Sequence, residues 1–96
     1  MDDLDEADRL ALAAISAAGP TGNDKAAVSA MITRGRIARR RGDAAGAVST
    51  FEDAVAAARA LGRSAQLRDC LIELSDLVAE QGDTKRAYEL AREALR

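Results

Sequence analysis

With 96 residues the chain has room for one small domain, and 48% apolar against 31% charged residues is the balance of a globular fold. It contains no His and a single Cys, which removes zinc sites, Ser-His-Asp and Cys-His machinery and an internal disulfide from within this sequence. A net charge of −2 gives no global pull toward nucleic acid or anionic lipid, and no apolar run approaches the roughly 18 residues of a transmembrane span.

Of the 96 residues 23 are Ala, and only Phe51 and Tyr88 are aromatic. Ala lets helix backbones approach closely, whereas a sheet needs β-branched and aromatic side chains to cover its faces, so an all-α fold of about five helices is expected. The first helix is predicted over residues 3–18. Its acidic opening (Asp2, Asp3, Asp5, Glu6, Asp8) suits the positive end of the helix dipole and is the opposite of a secretory signal. Gly19-Pro20 stops it. Thr21-Gly22-Asn23-Asp24 reads as a loop ending in a cap, and without a following Lys-Ser/Thr it is no phosphate cradle. A second helix over 25–41 repeats apolar or small residues at Val28, Met31, Ile32, Gly35 and Ala38, and stops at Gly42-Asp43. A third spans 44–61 and ends at Gly62, with a connection through Arg63 and Ser64. A fourth spans 65–81 with Leu67, Leu71, Leu74, Leu77 and Val78 on one face; Cys70 beside them reads as a small buried hydrophobe, with no Lys or His nearby to activate it. After Gly82-Asp83 a fifth helix begins at 84. A cytoplasmic protein is expected from the acidic start, and a bacterial high-GC origin from the preference for Ala and Arg over Lys.

Gly42-Asp43 and Gly82-Asp83 lie 40 residues apart, and the register holds around them: Ala47 with Ala87, Phe51 with Ala91, Ala54 with Ala94, Met31 with Leu71, Gly35 with Ser75, Ala38 with Val78. A further shift of 40 places Ala7, Ala11, Ala14 and Ile15 in the same columns. The first helix therefore reads as the second helix of an earlier, incomplete unit.

Gly35, Gly42-Asp43, Ala47, Phe51 and Ala54, echoed by Ser75, Gly82-Asp83, Ala87, Ala91 and Ala94, resemble the tetratricopeptide repeat: a small residue in the first helix, a Gly-Asp turn, then Ala-x₃-Phe-x₂-Ala. The period of 40 exceeds that family's 34 residues, and its first-helix Trp and Tyr and closing Pro are absent; in length and Ala content the repeats resemble those of bacterial regulators and signalling proteins. The resemblance implies a right-handed superhelical stack of antiparallel helix hairpins, an α-solenoid within a single domain. It would comprise a half repeat at 1–19, a repeat at 25–62 and a second at 65–96. Gly35, Ala47, Phe51, Ala54, Ser75, Ala87, Ala91 and Ala94 would form the packing seams, with Phe51 filling the gap to the next repeat.

In that family the first helix of each repeat lines a concave groove. The resemblance places Arg36, Arg39 and Arg40 there, with Ser29, Ile32 and Thr33 beside them, and Ile72, Asp76 and Ala79 on the next repeat. The three Arg residues belong to a cationic helix, for residues 25–41 carry six positive charges and no negative one. One reading is a groove for an acidic peptide or phosphate held by bidentate Arg contacts. The other is internal neutralisation. Forty residues on, Arg36 meets Asp76, Arg40 meets Glu80, Thr33 meets Glu73 and Ser29 meets Asp69, so the two rows could pair across the stack at about 0–1 kcal/mol each. Nucleic acid is disfavoured: the cluster has no interleaved aromatics and an acidic row lies next to it. The expected function is non-catalytic binding of another protein or peptide, without cofactor, metal or membrane partner. The alternative is a purely structural module. Tyr88, Leu90 and Leu95 on the last helix need cover, and two explanations compete: the chain is a piece of a longer repeat protein, or, as expected here, it pairs with another copy through the terminal helices.

Overall fold

The computed structural model describes residues 3–17, 25–62 and 64–95. Five helices account for almost all of them: α1 (Asp3–Ala17), α2 (Lys25–Arg40), α3 (Ala44–Leu61), α4 (Ser64–Glu80) and α5 (Thr84–Ala94). No strand occurs among the described residues, and no helix among them is long and apolar enough to cross a membrane. The expected Gly19-Pro20 stop, the loop Thr21-Gly22-Asn23-Asp24, Asp2 and Arg63 lie outside the described residues, as do the outer ends of the half repeat and of the second repeat.

Each helix packs against its neighbour in the chain, and α2 also touches α4. The result is a slab, 35 × 33 × 17 Å. Its core runs through α2, α3, α4 and α5: Val28, Phe51, Leu71, Leu74, Leu77 and Val78 are essentially sealed from solvent, together with Ala47, Ala54, Ala58 and Cys70. Burying a side chain of Leu or Phe size contributes about 1.5–3 kcal/mol, so these few large residues carry most of the hydrophobic gain while Ala fills the close approaches.

The corners at Gly42-Asp43 and Gly82-Asp83 are near copies. Gly42 and Gly82 take φ of 80° and 92°, a region that penalises any residue with a Cβ. The Gly42 amide donates to the Arg39 carbonyl and the Asp43 amide to the Ala38 carbonyl, at 3.1 and 2.9 Å; Gly82 to Ala79 and Asp83 to Val78 repeat this at 3.0 and 2.9 Å. This is the Schellman pattern of helix termination. The same Asp then starts the next helix. The Asp43 side chain accepts from the Gly46 amide and the Asp83 side chain from the Arg86 amide. One three-residue connection thus closes one helix and opens the next, with the Gly-Asp pair doing both.

The two hairpins differ where their helices cross. In α2/α3 the edge of the fully buried Phe51 ring points at Gly35, and a Cβ there would stand 2.7 Å from two ring carbons. Gly35 is the notch that admits the ring. Phe51 therefore reaches first into its own hairpin, not only toward the next repeat as the sequence suggested, because the missing side chain at 35 lets α2 approach α3 face to face. In α4/α5 the matching residues are Ser75 and Ala91. With no large ring to accommodate, Ser75 Oγ bridges the helices by donating to the Ala87 carbonyl at 2.9 Å.

Candidate interaction surface

The solvent face of α2 carries Ser29, Thr33, Arg36 and Arg40, and that of α4 carries Ile72, Asp76 and Ala79, each set at helical spacing. Ile72 is 47% exposed, unusual for its size. Ile32 does not belong with them. It is only 6% exposed and part of the core, because it lies a quarter turn from Thr33 and faces α3 and α4 instead of solvent.

The charge rows do meet across α2 and α4, shifted from the columns the sequence suggested. Arg36 Nε donates to Glu73 at 3.3 Å, not to Asp76; Arg39, not Arg40, pairs with Glu80 at 2.5 Å. Ser29 is met by Gln66, whose amide nitrogen donates to Ser29 Oγ at 2.8 Å and to the Lys25 carbonyl at 3.0 Å, and not by Asp69. Thr33 Oγ1 turns back to the Ser29 carbonyl, leaving Glu73 to Arg36. A helical side chain leans toward its own N-terminus, so the Arg36 stem reaches the α4 turn before its equivalent position. Arg39 and Arg40 point about 100° apart on the helix, and only one of them can address α4.

Two Arg residues of the cluster have a different partner that the repeat reading did not bring out. Arg34 donates to Asp8 at 2.8 Å, and Arg41 pairs with Asp5 and also approaches Asp8 at 3.8 Å. The acidic start of α1 thus serves as a counter-charge for α2 as well as for its own dipole. The signal was present: two carboxylates at the start of one helix and two guanidiniums late in the next face each other once the helices run antiparallel. On the opposite surface, Arg59 pairs with Glu93 and Arg86 with Glu52, linking α3 to α5.

Arg40 makes no ion pair among the described residues. It lines an open recess of about 440 Å³ between α1 and α2, together with Leu4, Ala7, Thr33, Arg36, Ile37 and Arg39. The recess is apolar at its floor and cationic at its rim, which suits an amphipathic ligand carrying negative charge. A polar recess of about 260 Å³ nearby, lined by Asp8, Arg34, Arg41, Asp43 and Thr50 among others, has its two guanidiniums already engaged by Asp5 and Asp8.

Cys70 is fully buried on α4. Burial, reinforced by the neighbouring Asp69, pushes its thiol up to about 11, so at neutral pH it is a protonated core side chain and a poor nucleophile. The ends of the described chain hold four of the five large apolar side chains exposed among the described residues: Leu10 (57%) and Leu12 on α1, Tyr88 (65%) on α5 and Leu95 (88%) at its C-cap. The Arg92 guanidinium lies over the Tyr88 ring, 5.8 Å from its centre.

No protein-family model matches the chain, and no curated protein or solved structure is detectably similar to it.

Proposed function

We propose that this chain is a non-catalytic protein- or peptide-binding module of tetratricopeptide-repeat type, a right-handed superhelical stack of hairpins serving as an adaptor in the bacterial cytoplasm. The duplicated corner and the chain-neighbour packing support the repeat reading. The observation that carries the binding role is the recess between α1 and α2, with Arg40 at its rim making no ion pair among the described residues. Binding of an acidic partner there weakens as salt rises, since rim charges act mainly through screened attraction.

A second reading is favoured by the Arg36–Glu73 and Arg39–Glu80 pairs: a structural or oligomerising module whose charges serve only the stack. Arg40→Glu separates the two. Retention of one partner from source-cell extract by the wild type, its loss in the variant, and an unchanged melting temperature support binding. No lost partner, with light scattering reporting a multimer through the exposed α1 and α5 faces, supports the structural module.

A further inference from the structure

The helix stripes 40 residues apart show what belongs in the α1/α2 cleft. On α3, Ala47, Phe51 and Ala54 are fully buried, with Phe51 against α2. On α5, Ala87 and Ala94 are buried, and Ser75 of α4 bonds to the Ala87 carbonyl. On α1 the matching stripe is Ala7, Ala11 and Ala14, but only α2 packs against α1 among the described helices, and Leu10 on the same flank is 57% exposed. The flank of α2 that continues this surface carries Thr33 and Arg40. Their counterparts on α4 are Glu73 and Glu80, the two carboxylates that receive Arg36 and Arg39 from α2. A helix lying on α1/α2 as α2 lies on α3/α4 would therefore set its own residues beside Thr33 and Arg40. The sign is reversed: where α4 offers carboxylates to two guanidiniums, α2 offers Arg40 and needs a carboxylate.

We infer that the α1/α2 cleft receives a helix from a partner protein, running parallel to α2, with small or apolar residues against Ala7, Leu10 and Ala14 and a carboxylate near its C-terminal end against Arg40. This rests on the binding-module reading and specifies its ligand class. A helix is required because the cleft stands where, one unit later, the chain supplies one. The carboxylate is called for because Arg40 has no ion-pair partner among the described residues, while Arg36 and Arg39 already have partners in α4.

The probe is a fluorescent peptide with the sequence of residues 64–81, whose native partner α5 presents Ala at each position where α1 presents Ala7, Ala11 and Ala14. Ala79 of the peptide, the position that would oppose Arg40, is changed to Glu in one version and to Lys in the other. Fluorescence anisotropy with the intact protein is expected to show the Ala79→Glu peptide binding about fivefold tighter than the Ala79→Lys peptide. Against Arg40→Glu that preference should vanish or invert, and against Leu10→Asp both peptides should lose at least tenfold in affinity while the melting temperature holds, since Leu10 is exposed. Absence of binding by the Ala79→Glu peptide overturns the inference. So does binding that neither Arg40→Glu nor Leu10→Asp alters, as exchange with the native α4 would produce. Self-association of the wild type that Leu10→Asp abolishes overturns it too, by making a second copy the occupant. The Arg40→Glu extract experiment tests the binding role separately, because it does not assume a helical ligand.

Discussion

The contact between α1 and α2 and the contact between α3 and α4 occupy the same register, yet the earlier one adds ion pairs to its buried apolar residues. Where the later contact has Val48 and the buried Leu74, the earlier one has Asp8 and Arg34, bonded at 2.8 Å; where the later has Gln81, the earlier has Arg41 paired with Asp5. The core cluster draws residues from α2, α3, α4 and α5 and none from α1, in which Ala11 is the buried residue. Apolar burial is insensitive to salt and removes a helix only with the whole fold, whereas partly exposed ion pairs contribute about 0–1 kcal/mol each and are screened. One architecture thus yields a four-helix core and a first helix joined to it both by burial, with Ala11 of α1 and Ala27, Ala30 and Ile37 of α2 buried outside that cluster, and by partly exposed ion pairs.

The comparison is broken most directly at Leu74. Leu74→Ala is expected to cost about 2–5 kcal/mol, read by urea denaturation as a lower midpoint for the whole molecule. A cost below about 1 kcal/mol would place the centre of the fold elsewhere. A smaller effect sharpens the contrast. Raising salt from 0.1 to 1 M, which shortens the screening length from about 10 to 3 Å, should speed amide exchange in α1 several-fold and leave α4 protected. Writing the later contact into the earlier one, Asp8→Val with Arg34→Leu, should leave Arg41–Asp5 as the only ion pair across it among the described residues, make α1 exchange less sensitive to salt and raise its protection by about 1 kcal/mol. The smallest expected effect concerns Cys70, in the apolar body. Its folded value of about 11 lies above the reference of 9.0, so the unfolded chain loses the thiol proton first as pH rises. The stabilisation it provides is complete below about pH 9 and is lost through pH 11. Denaturation midpoints over that range should fall more gently in Cys70→Ala than in the wild type.

Local signals were the easiest to read from sequence. A Gly that must adopt positive φ followed by a capping Asp is defined within a few residues, so both corners and the ends of α2 through α4 are legible to within a residue or so. Contacts that depend on how helices cross were less so. The small residue at 35 and the ring at 51 mark a close approach, but only the crossing shows that the ring enters the Gly35 notch of its own hairpin. Comparing equal columns 40 apart made the opposed charge rows visible but missed the direction in which a helical side chain leans, and so set Arg36 and Arg40 against the wrong carboxylates. It also hid Asp5 and Asp8 from Arg34 and Arg41, which share no column and meet only because consecutive helices run antiparallel. Ile32 fell on the wrong side because a boundary residue of an amphipathic helix is assigned by its neighbours, and those neighbours are α3 and α4.

The shared Asp at each corner limits where the chain can tolerate new length. Asp43 is at once the last acceptor-satisfying donor of α2 and the first cap of α3, as Asp83 is for α4 and α5, so a residue inserted there strips both helices of their ends together. Gly62 ends α3 by donating to the Arg59 carbonyl and, having no side chain, cannot cap a following helix as Asp43 and Asp83 do. Epitopes, linkers or additional 40-residue units grafted into this protein belong between hairpins, where the scaffold can be extended without unfastening what it already holds.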